Sequence, residues 1–462
     1  MQENKMGTLK MSKLVLSMGI PMVISMVLQG LYNIVDTMFV INMAEDGTLG
    51  NIALSCAFPV QILMIAIGVG TGVGLNANLS KHLGEKDFDD ANKVAGNALF
   101  LAFIFYLLFL IFGLFFTKPY MRLMSSNEKV IEMGSQYLKI CCTLSFGSIG
   151  YSIVERFLMA TGKTVHSMIC QISGAVINIV FDYVFIYPCN LGIAGAAYAT
   201  IFGQIFSLVL GYIIHVLKNK EISSNVKYLV PHKKHIFVIF KMGFPAFLMQ
   251  AMLSIMMFAV LLIIGSISNT EVNELLTGAF GIYYKMMQIA LFAAFGLSNA
   301  LISIVSFNYG MGNKERVYQA CKWGIIDTVI TTLIITIIYQ IFAKNISSLF
   351  ALGSDSTSDK EALLNVCAIS LHIASIGYIF MGFSVAIQGV LQGLNKVYSP
   401  LIISFLRLIV FVLPISYLFT LTSEPQTYLW WTFVISEVLT AIISFFILQF
   451  GLKKTFSLKE NL

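Results

Sequence analysis

Two acidic side chains stand inside long apolar stretches of this chain, Asp36 in LYNIVDTMFV and Asp182 in INIVFDYVFI. A carboxylate in hydrocarbon costs a few kcal/mol or more, so an intramembrane acid points to function. Each has a polar residue four positions earlier, Tyr32 before Asp36 and Asn178 before Asp182. That spacing puts each pair on one helix face. Counted from the nearest span ends, Asp36, Asp182, Asn178, Thr200 and Tyr137 all fall roughly 7–14 Å below one membrane boundary, at about 1.5 Å per residue. Carboxylate, amide, hydroxyl and phenol oxygens are hard ligands suited to Na⁺. The same two acids, close together and out of water, suit H⁺ exchange. A local alternative is that each acid is held by hydrogen bonds and never titrates.

The chain around these residues is a membrane protein by composition. Of its 462 residues 57% are hydrophobic and 11% charged, with mean hydropathy +0.83. Soluble domains carry about 25% charge, and a span needs about 20 apolar helical residues. Twelve helices are expected, over 13–42, 52–80, 94–117, 130–160, 164–187, 192–217, 236–268, 275–307, 317–343, 361–393, 397–420 and 426–451. A β-barrel would alternate in short segments, and none do. Six of the seven cysteines lie in or beside apolar runs, which excludes a disulfide-stapled external domain. The polar start of the chain has no cleavable signal pattern, so the first span is expected to act as the anchor. There is no P-loop, HExxH or paired metal-ligand cysteine motif. An enzyme is therefore not expected, nor an ATP-driven pump.

Twenty of the 29 Lys and Arg residues lie in the terminus and loops of one side and five on the other. By the positive-inside rule both termini are cytoplasmic. The net charge of +6 follows this topology and does not indicate a nucleic-acid partner. The polar segment 218–235, KNKEISSNVKYLVPHKKH, is read as a cytoplasmic linker between six-helix lobes at 13–217 and 236–451. Landmarks repeat across it: Met18-Gly19-Ile20-Pro21 with Met242-Gly243-Phe244-Pro245, Gly84-Glu85-Lys86-Asp87 with Gly312-Asn313-Lys314-Glu315, and Gly162-Lys163 with Asn395-Lys396. The expected fold is all-α and polytopic, two six-helix bundles related by a pseudo-twofold axis. Asp36 and Asp182 have no acidic counterparts, since they map near Val260 and Ile415.

The GIPMVI…LYNIVDTMFV opening, ERFLMATGK, INIVFDYVFI and LGIAGAAYAT leading into FGQ resemble the multidrug and toxic compound extrusion (MATE) family. They resemble more narrowly its bacterial DinF-like and multidrug-efflux branch, over nearly all twelve spans. The resemblance implies a V-shaped pair of bundles exporting organic, often cationic compounds against H⁺ or Na⁺. It implies no cofactor, a plasma-membrane location and a functional monomer. It also places the cation site, with Na⁺ as its metal if Na⁺ couples, on Asp36, Asn178, Asp182 and Thr200, beside Tyr32 and Tyr137. Glu155 in VERFLMATG departs from the Asn of several relatives. It is read either as solvated or paired with Arg156, or as attracting cationic substrate.

Four more charges fall within apolar runs: Lys285, Asp327, Arg407 and Glu437. Depth and sign suggest the pairs Asp327–Arg407 and Lys285–Glu437. The alternative is a substrate or proton pathway. His372 is read as a hydrogen-bonded packing residue. The main rival function is a flippase for lipid-linked or other amphiphilic substrates, which would be expected to carry a strongly basic cavity.

Overall fold

The computed structural model describes residues 4–43, 47–223, 225–350 and 357–460, and among these every regular element is helical. A short helix α1 (Lys5–Thr8) is followed by α2 (Met11–Ile41), α3 (Gly47–Glu85), α4 (Phe88–Phe115), α5 (Thr117–Met124), α6 (Glu128–Thr143), α7 (Phe146–Ala160), α8 (Thr164–Ile186) and α9 (Gly192–Lys218). After a 3-10 turn at Val226–Leu229 come α10 (Lys233–Gly265), α11 (Thr270–Gly310), α12 (Lys314–Phe350), α13 (Thr357–Ala374), α14 (Gly377–Gly393), α15 (Tyr398–Phe405), α16 (Val412–Thr420), α17 (Pro425–Tyr428) and α18 (Trp431–Glu460).

Among the described residues, ten helices are long and apolar enough to cross a membrane, or up to twelve when two bent pairs count as spans. Those pairs are α6 with α7, bent by 44°, and α13 with α14, bent by 51°. They occupy the expected spans 130–160 and 361–393, which are broken rather than continuous. Both breaks carry a Ser-x-Gly tripeptide, Ser145-Phe146-Gly147 and Ser375-Ile376-Gly377. Gly/Ser pairs are a recognised cause of sharp helix kinks. A Cβ at Gly147 would stand 3.1 Å from the Ile205 amide of α9, and one at Gly377 3.2 Å from the Phe433 carbonyl of α18. Each break therefore lets the last span of its half approach closely.

The chain forms two compact units. One holds Met1–Leu9, Ile24–Phe247 and Ser306–Asn313, the other Lys10–Val23, Leu248–Val305 and Lys314–Leu462. These do not follow the boundaries 13–217, 218–235 and 236–451 residue by residue. The divisions at Val23 and Phe247 come two residues after Pro21 and Pro245, both interior to helices α2 and α10. Proline removes an internal hydrogen bond and weakens the ladder there.

Glycines at the repeated landmarks explain the local packing. In the first unit Gly70 of α3 meets Gly243 of α10, where a Cβ on Gly70 would lie 2.9 Å from the Gly243 carbonyl oxygen. In the second, a Cβ on Gly296 of α11 would lie 2.6 Å from the Val23 amide of α2. The second unit's core is aromatic, with Tyr283 and Phe433 centroids 4.7 Å apart and Trp430 fully buried beside them.

The segment 218–235 is fastened to α4 within the first unit. Asn92 Oδ1 accepts from the Ser223 amide at 2.7 Å, and Asn97 Oδ1 accepts from the His232 amide at 2.7 Å. Gly96 lies directly under the Tyr228 carbonyl. This stretch is docked structure as well as a connection.

Candidate functional site

Helix α8 presents one face at a spacing of four: Cys170, Gly174, Asn178 and Asp182, all buried. This face packs on α9 because small residues remove the side chains between the backbones. Ser207 Oγ donates to the Cys170 carbonyl at 3.0 Å, and a Cβ on Gly203 would sit 2.6 Å from the Gly174 carbonyl oxygen and 3.0 Å from Asn178 Cβ. The close seam fixes Asn178 and Asp182, which are 3% and 0% exposed.

Asp36 of α2 and Asp182 of α8 act on one another electrostatically, and Tyr32, one turn before Asp36, lies in the field of both acids. Tyr137 of α6 is in the field of Asp36 and accepts a hydrogen bond from Gln61 Nε2 of α3 at 2.6 Å. Thr200 is half-buried on α9, one turn before Gln204. The structure thus brings Tyr32, Asp36, Tyr137 and Asp182 into one polar group, with Asn178 on the same face of α8.

Buried polar atoms are ordinarily hydrogen-bonded. Here Asp36 Oδ1, both Asp182 carboxylate oxygens, Asn178 Oδ1 and Nδ2, and Gln204 Oε1 are buried without a hydrogen-bond partner. Acid and amide oxygens left this way match what a hard monovalent cation requires, and the carboxylates alone match what a proton requires. Two positions were not foreseen. Gln204 follows Thr200 by four residues, a spacing that could have identified it. Gln61 carries no such signal.

Glu155 of α7 lies apart from this group. Its Oε2 is 3.9 Å from Arg156 Nη2, and Arg156 packs under Gly72, whose Cβ would stand 2.9 Å from Arg156 Nε. The expected pairs in the second half are not formed. Arg407 Nε lies 2.9 Å from Glu437 Oε1, with Arg407 buried and Glu437 partly buried, while Lys285 is exposed. Asp327 is buried with Oδ2 lacking a hydrogen-bond partner. Arg407 occupies a widened π turn, Leu406–Phe411, between α15 and α16. Tyr283, Tyr378 and Met256 line a small enclosed cavity with this ion pair. His372 is hydrogen-bonded as expected, its Nδ1 3.1 Å from Gln340 Oε1 and its carbonyl accepting from Gln340 Nε2 at 2.6 Å, but it is exposed rather than packed in a core.

Comparison with known proteins places this geometry in context. The family model MatE matches residues 21–184 and again 245–418, one match in each half of the chain. The multidrug export protein MepA of Staphylococcus haemolyticus is 25% identical over 436 residues, covering 94% of this chain and 92% of that protein. In fold, the chain is similar to an outward-facing multidrug resistance MATE family transporter of the MOP superfamily, with TM-score 0.90, 23% identity and 99% of both chains covered. A MATE structure in complex with MaL6 is similar at TM-score 0.91 and 22% identity, covering 99% of this chain and 100% of that one. This chain belongs to the MATE family and is a multi-pass membrane transporter rather than an enzyme.

Proposed function

We propose that the protein exports small organic, predominantly cationic compounds across the plasma membrane by antiport with H⁺ or Na⁺, as a monomer with both termini in the cytoplasm. The observation that carries this reading is that Asp36 and Asp182 lie within one another's field with carboxylate oxygens, and an Asn178 amide oxygen, buried without a hydrogen-bond partner. Asp36, Asn178, Asp182 and Thr200 hold the coupling cation, and Tyr32 and Tyr137 close the site around it. No cofactor is needed, because the ion gradient supplies the driving force.

A cation relieves the repulsion between the two carboxylates and favours the conformation in which they are close. Substrate favours the other conformation. Opposed preferences of two ligands for two states give obligatory exchange by population shift. The name of the MepA relatives supports drug export as the direction of transport. Against a flippase stands the neutralisation of Arg407 by Glu437, which leaves little basic character at that point of the second half. Glu155, 3.9 Å from Arg156, fits the paired reading and is assigned no part in cation binding.

The test is dye efflux from vesicles in Na⁺-free buffer with an imposed pH gradient, with and without a protonophore. Efflux abolished by the protonophore identifies H⁺. Efflux that ignores it but requires Na⁺ identifies Na⁺ at the same site. Efflux indifferent to both gradients would remove the antiport reading.

A further inference from the structure

At the opposite end of α8 from Asp182, three lysines converge where α7 ends, α8 begins and α9 ends. Lys163 is the residue before α8, Lys218 the last of α9, and Lys5 belongs to α1. Gly162 turns the chain at φ +76°, and a Cβ there would stand 3.1 Å from Lys5 Cε, so the Lys5 stem lies over this turn. Lys163 Nζ donates to Asn219 Oδ1 at 3.4 Å. Burial, then the charge of Lys163, hold Lys5 below the ordinary lysine value, and burial lowers Lys163 in the same way. All three lysines act electrostatically on His166, in the first turn of α8.

The acid that acts on Lys163 is Glu221, and its two oxygens already accept from Asn4 Nδ2 at 2.9 and 3.1 Å. Among the described residues the cluster therefore holds three lysines, and the one acid acting on it, through Lys163, is already engaged by Asn4. The first residue of α8 adds a further feature: Thr164 is fully buried and its Oγ1 has no hydrogen-bond partner. The start of a long helix carries partial positive charge and binds phosphate readily. Beside the basic groups the surface is apolar, with Val165, Ile169 and Leu217 at 43%, 44% and 65% exposure. Such side chains on a spanning helix face hydrocarbon. The cluster thus combines an excess of cations with a lipid-facing wall, at the level where the spans leave the membrane.

We propose that Lys5, Lys163 and Lys218, with the first turn of α8, bind the phosphate of an anionic phospholipid whose chains lie along Val165, Ile169 and Leu217. The apolar wall favours a lipid over free phosphate. A single phosphodiester charge offsets the mutual repulsion of the lysines without removing them from the boundary.

The experiment uses the purified full-length protein in neutral detergent, with the thermal unfolding midpoint followed during titration with phosphatidylglycerol, phosphatidylcholine or inorganic phosphate. Phosphatidylglycerol should raise the midpoint saturably and phosphatidylcholine should not. Lys163→Gln and the exposed Lys218→Gln should each weaken the apparent affinity by roughly fivefold, the contribution expected of one lysine near a charged headgroup. Lys344→Gln, a lysine remote in sequence, should leave it unchanged. Inorganic phosphate that displaces the lipid with the same lysine dependence would support the phosphate site and assign it to a soluble ligand. Equal stabilisation by both lipids would overturn the proposal. So would wild-type affinity in Lys163→Gln and Lys218→Gln, or an equal loss in Lys344→Gln.

Discussion

Asp182→Asn separates a coupling carboxylate from a structural one. Asparagine has nearly the same shape, so the seam that Gly174 and Gly203 make between α8 and α9 is kept. What changes is charge. Two unit charges about 4 Å apart at an effective dielectric of about 20 repel by about 4 kcal/mol. That is the upper limit of what the substitution can release in cation-free buffer. The variant is therefore expected to be more stable than the parent protein, by about 1–4 kcal/mol, in buffer lacking Na⁺ at a pH high enough to ionise both acids. Stabilisation of the parent by Na⁺ or by acid should shrink in the variant, and coupled efflux should be lost. Asp36→Asn should behave alike, and the double variant should not sum the two effects, because both act on one interaction. Thermal unfolding across Na⁺ and pH at constant ionic strength, with vesicle efflux alongside, measures all of this. A variant less stable than the parent in cation-free buffer, or one that exports normally, would refute the reasoning.

Gly203→Leu should lower stability by about 1–3 kcal/mol through overpacking and abolish efflux, since the new side chain would drive into the Gly174 carbonyl and Asn178. Chemical denaturation and transport of the same preparation would show whether the two losses travel together. Glu437→Gln should cost about 3–5 kcal/mol by leaving Arg407 buried and unpaired; replacing both by apolar residues of similar volume should recover most of it in the same unfolding measurement. Lys5 has a folded pKa below the ordinary 10.5, so between the two values the unfolded chain binds more protons. Stability should consequently rise as pH climbs through the folded pKa towards 10.5, and Lys5→Met should flatten that rise in a pH series of unfolding midpoints.

The grouping of the first-half polar residues was legible because its signal is local: spacing of four places Asn178 with Asp182 on one face of α8, and counting from the span ends brings Asp36 to the same level as Asp182. Gln61 was not legible, because its contact with Tyr137 depends on how α3 is rotated about its own axis. The same limit explains the wrong charge pairs. Lys285, Asp327, Arg407 and Glu437 all lie about ten residues from a span end, which is roughly 15 Å and thus near the middle of a core about 30 Å thick. Depth could not choose among four charges at the midplane. Helix rotation did, with the π turn at Leu406–Phe411 shifting the register around Arg407. The breaks in the two bent spans had a signal after all, the matching Ser-x-Gly tripeptides, which hydropathy averages over.

The division of α2 and α10 after their prolines bears on ancestry. Each unit contains the leading half of the other half's first long helix: Lys10–Val23 belongs with the second unit and the start of α10, up to Phe247, with the first. Neither repeat, taken alone, is a complete folding unit. A single-repeat ancestor would have had to work as a homodimer that traded leading half-helices. With both repeats in one chain that trade is intramolecular, and each copy can carry its own side chains, as the acids present in the first half and absent at Val260 and Ile415 illustrate.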